Sequence, residues 1–510
     1  MTASVTSLVR PEVDGPPGST AAAPGPQPAS GGGTTKSRLI GIDVCRGLAL
    51  LGMMAVHALV PFDADGSPNW VSDVATGNAS AVFALLAGVG LSLTTGRAAV
   101  PRSRMSSTVA SIAGRAAAVG VIGLLLGYAE AEVTGVILTF YAVMFLLAIP
   151  LLFLRTRTLV LVGVIAAVAV PVLSHLIRPA LPEAVLRNPS FLDVFDRPVG
   201  LLLELVLTGA YPALPWVSYI CAGLVVGRLT LSSLTIARRM LFVGVALAVS
   251  AGTASWWLLG PQGGRAALRA ATPGGLNLDD DTVDDLLVFG FDGTTPTGSW
   301  WWLATDAPHA ATPFDLLRTI GTAVAVLGVT LMLGHITAPV LQRGLRLVTA
   351  PLAAAGTMTL TLYAAHVVFM NSPLDQFSPV GGYVFQVVAV LLLALGWRQA
   401  VGRGPLETLV TAVAVQARGW ATRGTDPRTP RGQAQSASET ADQEAWSWWG
   451  EVDQESPVDV SSTPWPRHPR RRARARRRHT ADQEMWSWST AGPNGQLDPS
   501  RSYDNPERPS

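Results

Sequence analysis

The sequence predicts an all-α fold: a polytopic transmembrane helical bundle of about ten spans, N-in/C-in, with disordered termini. Three observations predict it. Of 510 residues, 49% are hydrophobic and only 14% charged, with a mean hydropathy of +0.35, where a soluble domain carries roughly a quarter charged residues. Apolar runs able, or nearly able, to cross about 30 Å of hydrocarbon recur ten times. Arginines also alternate from loop to loop, as the positive-inside rule requires.

Residues 1–36 are rich in Pro, Gly, Ala, Ser and Thr. They read as a disordered leader, because a signal peptide needs a basic start and a short apolar run. The spans follow at 39–60, 79–96, 109–128, 133–154, 158–175, 212–229, 238–259, 315–334, 349–371 and 380–397. The stretch 199–209 is too short for a span and reads as re-entrant or interfacial. Loops after the second, fourth, sixth and eighth spans hold Arg97, Arg102 and Arg104, then Arg155 and Arg157, then Arg228, Arg238 and Arg239, then Arg343 and Arg346. Loops after the first, third and ninth hold acids such as Asp63, Glu130 and Asp375 but no Lys or Arg. Both termini are therefore expected in the cytoplasm. Cys45 and Cys221 fall inside apolar spans and read as small buried residues, with neither a disulfide framework nor a metal site implied.

The first span, LIGIDVCRGLALLGMMAVHALV, carries Asp43, Arg46 and His57. At 100° per residue Arg46 lies about 60° and His57 about 40° from Asp43, so one polar stripe runs along one face. Asp43 and His57 are about 21 Å apart along the axis, near opposite sides of the bilayer. Ionisable groups inside a span are costly and mark function; the structural alternative is an Asp43–Arg46 pair with an interfacial histidine. His366, with Tyr363 one turn before it, lies inside the ninth span. There a buried histidine bonded to a neighbouring helix stands beside a catalytic role.

The outer loops are long, 176–211 and 260–314. The second holds Asp279, Asp280, Asp281, Asp284 and Asp285 without regular calcium-ligand spacing, so a solvated acidic loop is expected and no metal. Trp300, Trp301 and Trp302 suit either an interfacial belt or a platform for a sugar ring. Residues 401–510 are expected to form a disordered cytoplasmic tail. It repeats TADQEAWSW (440–448) as TADQEMWSW (480–488) and carries PRHPRRRARARRRH at 466–479. That cluster points to anionic lipid as a partner and not to nucleic acid. No P-loop, nucleophile elbow or zincin motif is present, which argues against an ATP-driven pump and soluble-type hydrolases.

The pattern Asp43-x-x-Arg46-Gly47-x-Ala49, followed by a methionine-rich turn and His57, resembles the heparan-alpha-glucosaminide N-acetyltransferase family. SAVFALLAGVGLSLTTGR (80–97), TGAYPALPWVSYICAGLVVGR (208–228) and HAATPFDLLRTIGTAVAVLG (309–328) are similar to its actinobacterial members. TMTLTLYAAHVVF (357–369) is similar to a C-terminal span of bacterial membrane proteins of unassigned function that share the N-terminal motif. The resemblance covers roughly 37–400, a transmembrane acyltransferase-like domain with a first half at 37–260 and a second at 315–400. It implies transfer of acetyl from acetyl-CoA, taken on the cytoplasmic side, to a sugar or glycolipid of the cell envelope, by a multi-pass plasma-membrane protein. In that reading His57 and Asp43 are catalytic, and Arg46, Gly47, Arg97 and Arg115 hold the CoA phosphates. Trp70, Tyr211, Trp216, His309, Asp315 and Arg318 line the acceptor side. The family's human-type enzyme has asparagine at the position of His57 and its catalytic histidine in the loop that follows. Here that loop, PFDADGSPNW, contains no histidine. A secondary transporter or channel for a small organic solute and a non-catalytic scaffold stay open. So does a homodimer. Against the transporter stands the lack in the sequence of an inverted repeat or matching broken helices.

Overall fold

The computed structural model describes residues 39–63, 65–271 and 280–423. The leader and the tail's repeat and arginine cluster lie outside the described residues. In chain order the helices are α1 (Ile40–Ala58), α2 (Asn78–Thr94), α3 (Met105–Leu126), α4 (Leu138–Leu151), α5 (Thr156–Ile177), α6 (Phe191–Asp196), α7 (Pro198–Leu203) and α8 (Ala213–Gly227). They continue as α9 (Leu234–Leu259), α10 (Gly264–Ala270), α11 (Asp280–Phe289), α12 (Pro313–Leu333), α13 (Pro339–Gly356), α14 (Thr359–Met370), α15 (Pro379–Ala400) and α16 (Pro405–Arg423). The described residues form no strand, only one isolated bridge between Phe62 and Pro68. The predicted all-α class is what forms.

Among the described residues seven helical segments are long and apolar enough to cross a membrane, or nine if each of two bent pairs counts as one span. The tenth expected crossing is α4, whose 14 residues reach only about 21 Å. Pro residues sit where a missing N–H costs nothing, at the first turns of α7, α12, α13 and α15. Thr312 caps α12 by accepting the Asp315 N–H, and the Asp315 carboxylate accepts the Ala311 N–H in return.

Lipid offers helices no hydrophobic reason to associate, so close packing over small residues must do it. The glycines show how. A Cβ built on Gly223 of α8 would lie 2.1 Å from the Leu85 carbonyl oxygen of α2, and one on Gly88 would lie 2.5 Å from that of Ile220. Gly244 of α9 and Gly321 of α12 meet the same way, each 2.6 Å from the other's carbonyl. Helices α1 and α2 are central: 61% and 78% of their apolar windows are buried, against 22–28% for α3, α5, α9 and α15. The peripheral helices turn Leu161, Phe242, Phe385 and Leu392 outward, where lipid would lie. The helix with the polar stripe is thus walled in by protein.

Three expectations are corrected. The ninth span breaks: α13 and α14 meet at 81° around Thr357 and Met358, and the first half of α13 exposes Val340, Leu341, Leu347 and Val348. The disordered tail does not begin at 401, because α16 runs to Arg423 and packs on α3, with Gly114 against Val413, Ala414 and Ala417. Its small residues allow that approach despite modest apolarity. Finally, broken helices do occur in both halves, since the segment 198–208 also bends by 48° against α8.

The described parts of the long loops 176–211 and 260–314 are structured by charge. Ser190 and Asp193 form a capping box on α6, and Asp193, fully buried, also takes Arg187 and Arg197, the latter through Nε at 2.7 Å. Arg197 reaches on to Glu204. Burial alone would raise the Asp193 carboxyl, but bonds from Ser190 and both arginines hold it well below the usual range. The expected solvated acidic loop is partly helix α11, with Asp284 paired to Arg265 and Arg269 of α10. Trp302 is buried with Leu268 and Val283, whereas Trp300 stays exposed beside His175.

Candidate functional site

Asp43 and Arg46 are both buried on α1, with Arg46 Nη1 3.4 Å from Asp43 Oδ1. Their neighbours are held close by glycine. A Cβ on Gly356 would lie 1.8 Å from the Asp43 carbonyl oxygen, and one on Gly47 would lie 2.2 Å from that of Leu352. Gly47, expected with the donor-binding residues, is therefore placed against the backbone of α13, not against open space.

Arg46 and Arg115 line one crevice of about 160 Å³ enclosed by α1, α2, α3, α4, α14 and α16. Its walls are largely apolar (Met53, Phe83, Leu86, Val119, Phe145), with Tyr141, Tyr363, Thr359 and Glu407 as polar points. Arg46 and Met53 are two turns apart, so the crevice follows α1 for about 10 Å. His57 lies one further turn along α1, and His366 one turn beyond Tyr363 on α14. Glu407 closes the side of the crevice by accepting the N–H groups of Leu360 (2.7 Å) and Thr361 (3.1 Å) at the start of α14. Burial raises its carboxyl above the ordinary range, although these bonds and the Thr361 hydroxyl pull the other way.

Beyond the crevice two histidines meet. His57 Nδ1 is 3.1 Å from His366 Nε2, and His366 Nδ1 is 2.6 Å from Gln386 Oε1 on α15. The imidazole planes differ by 5° with centroids 5.3 Å apart. With a nitrogen–nitrogen contact that short, this is an in-plane hydrogen bond rather than face stacking. His366 is 3% exposed while His57 is only partly covered. The expected buried histidine bonded to neighbouring helices is found, and its partner is the motif histidine itself.

The other expected residues divide. His309 and Tyr211 meet edge to face at 5.4 Å, and Tyr211 meets Trp216 at 5.4 Å and Phe140 at 5.5 Å. His309 holds a left-handed backbone, φ 55°, and burial pushes its imidazole down to about 4. Trp216 is 4% exposed and packs into the core. Asp315 is buried and spends its carboxylate on the Ala311 N–H, while Arg318 pairs with Asp306 at 3.3 Å. Trp70 is 53% exposed, its ring 6.5 Å from that of Tyr383. Arg97, with φ 60°, follows the end of α2 outside the crevice wall. Gln386, Tyr141 and Glu407 were missed by the sequence reading. The signal for Gln386 was present: a long amide in an apolar span needs a partner. Among the described residues no group of three or more His, Cys, Asp or Glu could hold a metal ion.

These features define a multi-pass α-helical membrane protein with a polar crevice inside its bundle. Residues 38–258 match the family model for heparan-alpha-glucosaminide N-acetyltransferase, catalytic. The match places this segment, a little under half of the chain, in a heparan-alpha-glucosaminide N-acetyltransferase-like membrane acetyltransferase family. No curated protein matches the chain.

Proposed function

We propose that the protein is a plasma-membrane acyltransferase that takes acetyl from acetyl-CoA and delivers it to a hydroxyl or amine of an envelope sugar or glycolipid. The observation that carries this reading is the crevice: two arginines along it and a paired histidine just past Met53 and Tyr363. A thioester donor has that distribution, with phosphates that suit guanidinium groups and a long thin arm that suits a narrow apolar passage. Arg46 and Arg115 would hold the anionic end, with Asp43 orienting Arg46. His57 would take the acceptor's proton, which suits an imidazole near neutral pH. Tyr211, His309 and the exposed rings of Trp70 and Trp300 would face the acceptor.

The test is acetyl-CoA binding by calorimetry to the purified full-length protein, wild type against Arg46→Ala. Losing a charge-assisted contact is expected to weaken binding about tenfold or more. A folded wild type that shows no binding would remove the donor from the scheme. A second reading, a transporter for a small organic solute, is favoured by the two broken helices, one in each half. Solute uptake by vesicles without thioester consumption would select it.

A further inference from the structure

We infer that His366 and Gln386 are positioning residues that hold His57 in a single tautomer, with its Nε2 left bare to receive the acceptor's proton. This rests on the acyl-transfer reading above. A sulfur atom orients the amide. Gln386 Nε2 is 3.2 Å from Met370 Sδ, and a thioether can only accept, so the amide nitrogen belongs on that side. The amide oxygen therefore faces His366 Nδ1 at 2.6 Å. An amide oxygen can only accept, so His366 Nδ1 carries the proton. In the resting neutral pair each imidazole has one N–H, which leaves His366 Nε2 as an acceptor. Across 3.1 Å stands His57 Nδ1, which must donate. The one N–H of His57 is spent there, and its Nε2 keeps a lone pair. The described residues offer that nitrogen no hydrogen-bond partner.

The three side chains come from α1, α14 and α15, and none of the chain order suggests their meeting. Met370 and His366 are one turn apart on α14, so Gln386 bridges both from the facing helix. The near-coplanar rings suit proton sharing along the Nδ1···Nε2 line. In the reaction, a lone pair of the acceptor oxygen or nitrogen forms a bond to the thioester carbonyl carbon while its proton passes to His57 Nε2. The new imidazolium is steadied by His366 Nε2, which accepts its Nδ1–H. The carbon–sulfur bond then breaks, and the departing thiolate takes the proton back from His57 Nε2. No oxidant or metal is needed.

The experiment is ¹⁵N-histidine NMR of the full-length protein in detergent, with His57→Gln and His366→Gln used for assignment. Wild type is expected to show His57 protonated at Nδ1 and bare at Nε2. Gln386→Glu, still an acceptor, should keep that state; Gln386→Leu should give a mixture of tautomers. In acetyl-transfer assays Gln386→Leu should lose about ten- to hundredfold in kcat with the acetyl-CoA KM unchanged, and Gln386→Glu should recover most of it. A wild-type His57 protonated at Nε2 overturns the inference, and so does a folded Gln386→Leu with unaltered tautomer and kcat. The spectrum decides even where the assay is silent. An Nδ1–H tautomer in a protein that transfers no acetyl group would uphold the positioning and remove the reaction.

Discussion

Single residues in this protein act through what they are denied. His57 has given its one N–H to another imidazole, and removing the ring as His57→Ala is expected to abolish acetyl transfer while leaving acetyl-CoA affinity within about twofold. Retained turnover in that variant would move the base elsewhere. His309 is crowded by protein, and that burial pushes its imidazole down to about 4 from about 6.5. The fold favours the neutral ring, so its stability is undiminished above about pH 6.5 and declines as the pH falls toward 4. Melting temperature followed from pH 7.5 to 4.5 should fall less steeply in His309→Gln than in wild type. Asp193 titrates on the other side of the same logic. Its carboxyl is held down, so its contribution is complete above about pH 4 and is withdrawn only on further acidification. At neutral pH, Asp193→Asn should cost about 3 kcal/mol, because it leaves Arg187 and Arg197 without their shared anion. An unchanged melting point would contradict that.

Elements assemble here by backbone contact, and glycines decide which faces can touch. Gly223→Ala should lower the melting temperature sharply, because its Cβ would meet the Leu85 carbonyl at 2.1 Å. Gly344→Ala on α13 has nothing within 4 Å and should stabilise by about 0.5–1 kcal/mol through helix propensity. Similar melting points for the two variants would sink the packing argument. Most elements were legible in the sequence because an apolar run of membrane length has few other destinies. The polar stripe on α1 was legible too, since helical periodicity alone puts Asp43, Arg46 and His57 on one face. The break between α13 and α14 was not. Residues 349–371 contain no Asp, Glu, Lys or Arg, and composition cannot report an 81° turn. Helix α16 was hidden for the opposite reason: its sequence is too polar to announce a buried face, yet Ala414 and Ala417 let it lie against α3.

At the scale of the whole molecule, arginine placement sets the expected orientation, with α1 starting in the cytoplasm. Reporter fusions after Arg343 should then read as cytoplasmic and fusions after Gly263 as external; the reverse pattern would invert the donor and acceptor sides. The sequence also showed half of the site, the half on α1. Beyond the walls that α2, α3 and α4 supply, the site draws on α14, α15 and α16, which lie outside the segment matching the family. Pairing across some three hundred residues leaves no local signature, so His366 appeared only as a single histidine in an apolar span and Gln386 was not singled out. A gene cut between the codons for Ala270 and Asp280 would therefore part each histidine from its mate. Neither fragment would carry the His57–His366 pair, and only pieces that find each other within the bilayer could restore it, so the pair itself would report helix association there.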